Sequence, residues 1–128
     1  MTPEQKIKHL IIASIAAREE VDMPVVTAEN VDEVFDEFDE KYEDSVQEAK
    51  YEIREGEVET GLPCDWSRHY ESKSVAARTP NGEWVGWTYW YGGGKHGEPE
   101  AIDWIEDAYD LACVEEEKLA TVRTFTKQ

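Results

Sequence analysis

From Thr2 to Glu20 the apolar residues recur every three or four positions. Ile7, Leu10, Ile11 and Ile15 form one stripe, with the small Ser14 on the same face. That period predicts an amphipathic helix. Ile12, Ala13 and Ala16 widen the stripe, which predicts burial against more than one element or a dimer contact. Thr2-Pro3-Glu4-Gln5 has the form of a capping box, with Pro at the first helical position. The helix is expected to end near Arg18–Glu20. Val21 to Val26 reads as a connector, extended where Pro24 restricts Met23. A longer stripe follows: Val31, Val34, Phe35, Phe38, Tyr42, Val46, Ala49 and Ile53. It predicts one helix of about six turns, starting at Thr27 or Asn30, running to about Arg54 and stopping before Gly56.

Beyond a linker from Gly56 to Trp66, the period falls to two. Asn81-Gly82 predicts a hairpin with a two-residue loop. Counting outward pairs Arg78 with Val85, Ala76 with Trp87, Ser74 with Tyr89 and Ser72 with Tyr91. The other face pairs Thr79 with Trp84, Ala77 with Gly86, Val75 with Thr88 and Lys73 with Trp90. Both faces carry tryptophan, so both are expected to be covered, with Val85, Trp87 and Tyr89 facing the helices. Gly92 to Gly97 breaks the strand. Pro99 to about Asp107 reads as a short helix, with Ala101, Ile102, Trp104, Ile105 and Ala108 inward. Residues 109–114 fit either a helix extension or a strand. Leu119 to Thr126 alternates and favours a second hairpin, with Glu115–Lys118 as its polar turn.

These elements predict an α+β fold. Two N-terminal helices pack on an antiparallel sheet of three or four strands, with a short helix inserted between the hairpins. The chain of 128 residues is expected to form one domain, 1–128, with a helical acidic half (1–56) and a hairpin–helix–hairpin half (67–128).

Charge changes the functional picture. Thirty acids face thirteen bases, a net charge of −17. Such a surface repels phosphates, which argues against direct nucleic acid binding and for a partner with a basic surface. No apolar stretch approaches the ~20 residues of a membrane span. A basic segment followed by an apolar run, the mark of a signal peptide, is missing as well. With only Cys64 and Cys113, the expectation is a cytoplasmic chain with free thiols.

Between Thr27 and Glu55 lie twelve acids and three bases. A helix of that length would span ~42 Å and carry one net charge per ~4.7 Å, against one per ~1.7 Å of duplex DNA. It would be a dilute copy of a duplex, and a second acidic surface or a homodimer would be needed to match one. Like charges also crowd at i,i+4, as in Asp36/Glu40 and Glu40/Asp44, each pair costing ~0.2–0.5 kcal/mol. A chain that keeps such pairs points to an external partner for them. Asp32, Asp36, Glu40, Glu43 and Asp44 are the candidate partner-binding residues.

A second candidate is a small-molecule or peptide site formed by Trp84, Trp90, Lys95 and His96 around the glycine loop. The Gly-rich run is not a Walker loop, because no Ser or Thr follows Lys95. Glu98 and Glu100 oppose anion binding there. Cys64 and His69 are close in sequence, but a nucleophile pair needs spatial adjacency and an orienting group. His9, His69 and His96 lack metal-ligand spacing. No set of nucleophile, base and oxyanion donors can be assembled, so neither catalysis, nor a metal, nor a cofactor is expected.

The run WVGWTYWYGGGKHGEPEAIDW, with SRHYES before it and EEEKLATVRTFTK after it, resembles an uncharacterised family of small acidic proteins of tailed phages and prophages. The resemblance covers the chain from Ser67 on. It implies an accessory protein acting inside a bacterium, and it carries no catalytic residues to transfer. The leading expectation is therefore a non-enzymatic protein that binds a host nucleic-acid-handling or defence protein through acidic residues, as an inhibitor or DNA mimic.

Overall fold

The computed structural model describes residues 1–94, 97–117 and 121–128, the side chains of 116, 117, 121 and 122 excepted. Among the described residues, three α-helices are α1 (Pro3–Arg18), α2 (Val31–Lys41) and α3 (Glu43–Ile53). Five strands follow: β1 (Val58–Glu59), β2 (Glu71–Arg78), β3 (Trp84–Tyr91), β4 (Tyr109–Glu117) and β5 (Thr121–Lys127). They form one antiparallel sheet in sequence order. The class is α+β, with three N-terminal helices where the pattern predicted two and five strands where it predicted three or four.

The predicted capping box starts α1. The Thr2 hydroxyl accepts from the Gln5 amide at 3.2 Å, and the Gln5 side chain accepts from the Thr2 amide at 2.9 Å. The helix ends in a Schellman arrangement, with Glu20 left-handed (φ 54°) and the Val21 amide bonded to the Ala16 carbonyl.

The long acidic helix is not continuous. Tyr42 leaves helical geometry (φ −126°, ψ 48°) and separates α2 from α3. The apolar spacing runs through the break unchanged, so periodicity could not locate it. Packing explains it. A straight helix from Val31 to Ile53 would outrun α1, which is about 24 Å long. Bending lets both halves lie on α1: Asp32 of α2 meets Lys8, while Glu48 and Glu52 of α3 meet Arg18. Lys50 also sits over the Phe35 ring at 5.9 Å. In a straight helix those residues would be about 22 Å apart along the axis.

The β2–β3 hairpin forms one register step away from the predicted one. Ala77 pairs with Val85, Val75 with Trp87, and Arg78 with Trp84. Proline is the cause. A two-residue Asn81-Gly82 loop would need Pro80 to donate one of the two hydrogen bonds of the closing pair, and Pro has no N–H. Thr79 and Glu83 close the hairpin instead, with Thr79 N donating to Glu83 O at 2.8 Å. Pro80 and Asn81 become the centre of a turn closed by Gly82 N on Thr79 O, and Gly82 takes φ 88°. The slip changes which β2 residues share a face with the rings. Val75 and Ala77, not Ala76 and Ser74, join Val85 and Trp87 beneath Ile7, Ile11 and Ile15. Val85, Trp87 and Tyr89 do face the helices, as expected.

The opposite face holds a second core of Ala76, Trp84, Leu111 and Phe125. It exists because the sheet curls. β3 and β4 share only the pairs Val85–Asp110 and Gly86–Tyr109, after which β4 and β5 turn over the sheet. Gly86 permits the close approach: a Cβ there would lie 2.6 Å from the Tyr109 ring and 2.7 Å from Leu111.

The predicted helix at Pro99–Asp107 is only a 3-10 turn, Pro99–Ala101. Ile102 is extended, and Trp104 enters the first core to meet Trp87 with ring centroids 5.2 Å apart. That burial overrides the weak helical pattern. Residues 109–114 are strand, and the second hairpin forms. Glu115–Glu117 belong to β4 rather than to a turn, while Lys118, Leu119 and Ala120 lie outside the described residues.

Candidate protein-binding surface

Two helices and the break between them set out the acidic residues. Asp32 is the exception among the candidates, because it is already engaged. Its carboxylate takes Lys8 at 3.0 Å and Gln5 at 3.2 Å, bonds that hold it below the usual carboxylate range. It ties α2 to α1. Asp36, Glu40, Glu43 and Asp44 are exposed, and among the described residues no cation forms an ion pair with them. Asp36 and Glu40 lie one turn apart on α2. Glu40, Glu43 and Asp44 line an open depression of about 400 Å³ at the break together with Lys41, with Glu19 on its rim. The Ser45 hydroxyl donates to Glu19 there, which holds the end of α1 against the start of α3. The bend therefore gathers three of the five predicted acids into one concavity and places a fourth beside it.

The aromatic candidate is dispersed. Trp84 is 8% exposed and meets Phe125 edge-on at 5.0 Å. Trp90 is half-buried, and its carbonyl accepts from Arg54 Nη1 at 2.9 Å. The two residues are about 20 Å apart along the strand. Lys95 and His96 lie outside the described residues. Gly92, Gly93 and Gly94 all take positive φ, which accounts for three glycines in a row. The Tyr70 side chain fills the space over Gly93 and Gly97, where an added Cβ would lie 2.6 Å from it. Cys64 lies 3.5 Å from the Ser72 hydroxyl, and His69 is exposed. Among the described residues no three His, Cys, Asp or Glu side chains gather as metal ligands, and no helix is long and apolar enough to cross a membrane.

Sequence reasoning did not anticipate the burial of three basic residues, Lys6, His9 and Arg54. Lys6 donates to Asp110 at 2.7 Å. His9 is 4% exposed, with Nδ1 unpartnered. Arg54, at the end of α3, turns inward rather than toward the acids around it. A base on the apolar side of a predicted helix was the available signal for Lys6.

The fold and surface define an α+β domain with a helical layer on a curled sheet and a concavity whose acids Glu40, Glu43 and Asp44 form no ion pair among the described residues. No protein-family model, curated protein or solved structure matches the chain.

Proposed function

We propose that this chain is a non-enzymatic binding protein that docks its bent acidic surface onto a basic surface of another protein. The observation that carries the reading is a cluster of exposed acids without ion pairs at one bend. Asp32, Glu48 and Glu52 are consumed by ties between helices, whereas Asp36, Glu40, Glu43 and Asp44 are left to solvent at one bend. Proteins that handle or attack nucleic acid carry basic surfaces selected for phosphate, so they are the partner class that fits. The resemblance to phage and prophage proteins supports a bacterial host as the source of that partner. The proposal is one of charge complementarity, not of a duplex-shaped rod, because the helix breaks at Tyr42.

The test has two stages. Tagged protein captures partners from bacterial lysate at ~50 mM and ~500 mM salt, since screening separates charge-driven from apolar contacts. A captured protein is then purified and titrated against wild type and an Asp36→Asn, Glu40→Gln, Glu43→Gln, Asp44→Asn variant. The expected result is a basic partner held at low salt, released at high salt, and bound at least tenfold more weakly by the variant. A partner bound equally well by the variant overturns the reading.

A further inference from the structure

Arg54 stands out in a chain of net charge −17, because it is 7% exposed and forms no ion pair with any described carboxylate. A buried guanidinium without a counter-ion is costly. Part of its charge is met by the Trp90 carbonyl and by the rings of Tyr51 and Tyr89, at 5.2 and 4.9 Å. Its position is fixed from behind, since the Arg54 carbonyl accepts from Trp87 Nε1 at 2.8 Å.

The remaining donors of Arg54 are unused. Nε is sealed and unpartnered. Nη2 donates no hydrogen bond to any described residue either, yet the sealed orphan atoms among the described residues are only His9 Nδ1 and Arg54 Nε. Nη2 therefore reaches solvent, and Arg54 lines a small pocket of about 160 Å³ with Gln47, Lys50, Tyr51, Glu100 and Trp104. Gln47, Lys50, Tyr51 and Arg54 stand at i, i+3, i+4 and i+7 and share one face of the α3 end. Trp104 is 8% exposed, and its indole N–H has no partner among the described residues and is not sealed. The pocket is thus lined by residues that carry an amide, an ammonium, a guanidinium and an indole N–H, with the Lys50 ammonium also 5.9 Å over the Phe35 ring. Glu100 is its one acid.

We infer that this pocket binds a compact oxyanion, a carboxylate or phosphate group carried by a small molecule. Arg54 Nη2 is the open donor for such a group, Lys50 adds a second positive charge at the rim, and the volume is enough to admit it. Glu100 lowers the affinity and acts as a gate on charge. This site is separate from the acidic bend, and neither proposal depends on the other.

The test is a ¹H–¹⁵N NMR titration of the full chain with inorganic phosphate and, separately, with acetate, at ionic strength held constant with chloride. Saturable shifts of the Trp104 indole and Arg54 Nε–H resonances are expected, with a dissociation constant on the order of 1 mM for the preferred anion. The tighter anion identifies which oxyanion the site takes. Lys50→Gln should weaken binding about fivefold, and Glu100→Gln should strengthen it by a similar factor, since both change one charge at a half-exposed rim. Linear, unsaturated shifts with both anions overturn the inference. So does a Glu100→Gln variant that loses stability without gaining affinity, because Glu100 would then be the counter-ion of Arg54.

Discussion

Asp110→Asn should destabilise the fold more than Lys6→Met, although both break the same ion pair. The Lys6 side chain is 9% exposed, whereas Asp110 and Glu83 are 35% and 47% exposed. The ammonium donates to Asp110 at 2.7 Å and to the Trp84 carbonyl at 3.4 Å, with Glu83 at 3.5 Å. These contacts pin α1 to the β3–β4 junction. Removing the charge of Asp110 leaves the ammonium buried with one more distant and half-exposed carboxylate. The loss of a charged hydrogen bond at a buried donor costs ~1.5–3 kcal/mol. Removing Lys6 has a different consequence. Methionine fills a similar volume, and both carboxylates stand near enough to water to rehydrate. Replacing a buried charge by an apolar side chain is often close to neutral, so the cost should stay below ~1 kcal/mol. Urea unfolding followed by far-UV circular dichroism measures both, read as a shift in midpoint at unchanged slope. A Lys6→Met cost equal to or above that of Asp110→Asn would refute the reasoning, since the ammonium would then be stabilising in its own right.

Three further outcomes follow from the packing. Trp87→Phe should cost about 1.5–3 kcal/mol, because it shrinks a fully buried ring and strands the Arg54 carbonyl, while Trp66→Phe, at 83% exposure, should stay within about 0.5 kcal/mol in the same urea assay. Gly86→Ala should cost about 1–3 kcal/mol, because its Cβ collides with Tyr109 and Leu111, and hydrogen exchange should show β4 and β5 loosening first. Burial, opposed by Glu83, holds His9 below its ordinary pKa of 6.5, with the Lys6 ammonium one turn away on the same helix. The unfolded chain then takes up the proton first. The contribution of neutral His9 is thus full above pH 6.5 and is lost as pH falls from there through the folded pKa. Wild type should lose more of its urea midpoint than His9→Gln between about pH 7.5 and 5.5.

Element type was largely legible in the chain, because it follows from local pattern. The capping box, the inward face of β3 and the second hairpin all rest on residues within a few positions of one another. The failures lie where a tertiary or chemical constraint acts without altering that pattern. The stripe from Phe38 through Tyr42 to Val46 is the same for a straight and a bent helix, and only the length of α1 selects the bend. The register of β2 on β3 turned on whether Pro80 or Asn81 governs the loop; the missing N–H of Pro80 was readable and decides it. At Pro99 the apolar spacing suggested a helix, but burying Trp104 against Trp87 required only an extended segment.

Functional surfaces are harder to read than folds, because they depend on which charges are left over. Asp32, Asp36 and Glu40 occupy one i,i+4 stripe and look equivalent along the chain. Lys8, reaching over from α1, neutralises Asp32 and leaves Asp36 and Glu40 to solvent. Arg54 inverts the case. With Glu52, Glu55 and Glu57 beside it, the local pattern implies an ion pair, yet Glu52 is taken by Arg18 and the Arg54 guanidinium lies between Tyr51 and Tyr89. In both places a charge is assigned by a residue from a distant element, and what remains unpaired is exposed acid at the bend and a buried base at the end of α3. A long-range ion pair of this kind is worth little to stability at the surface. Its larger effect is to decide which acids, and which lone base, are available to bind something else.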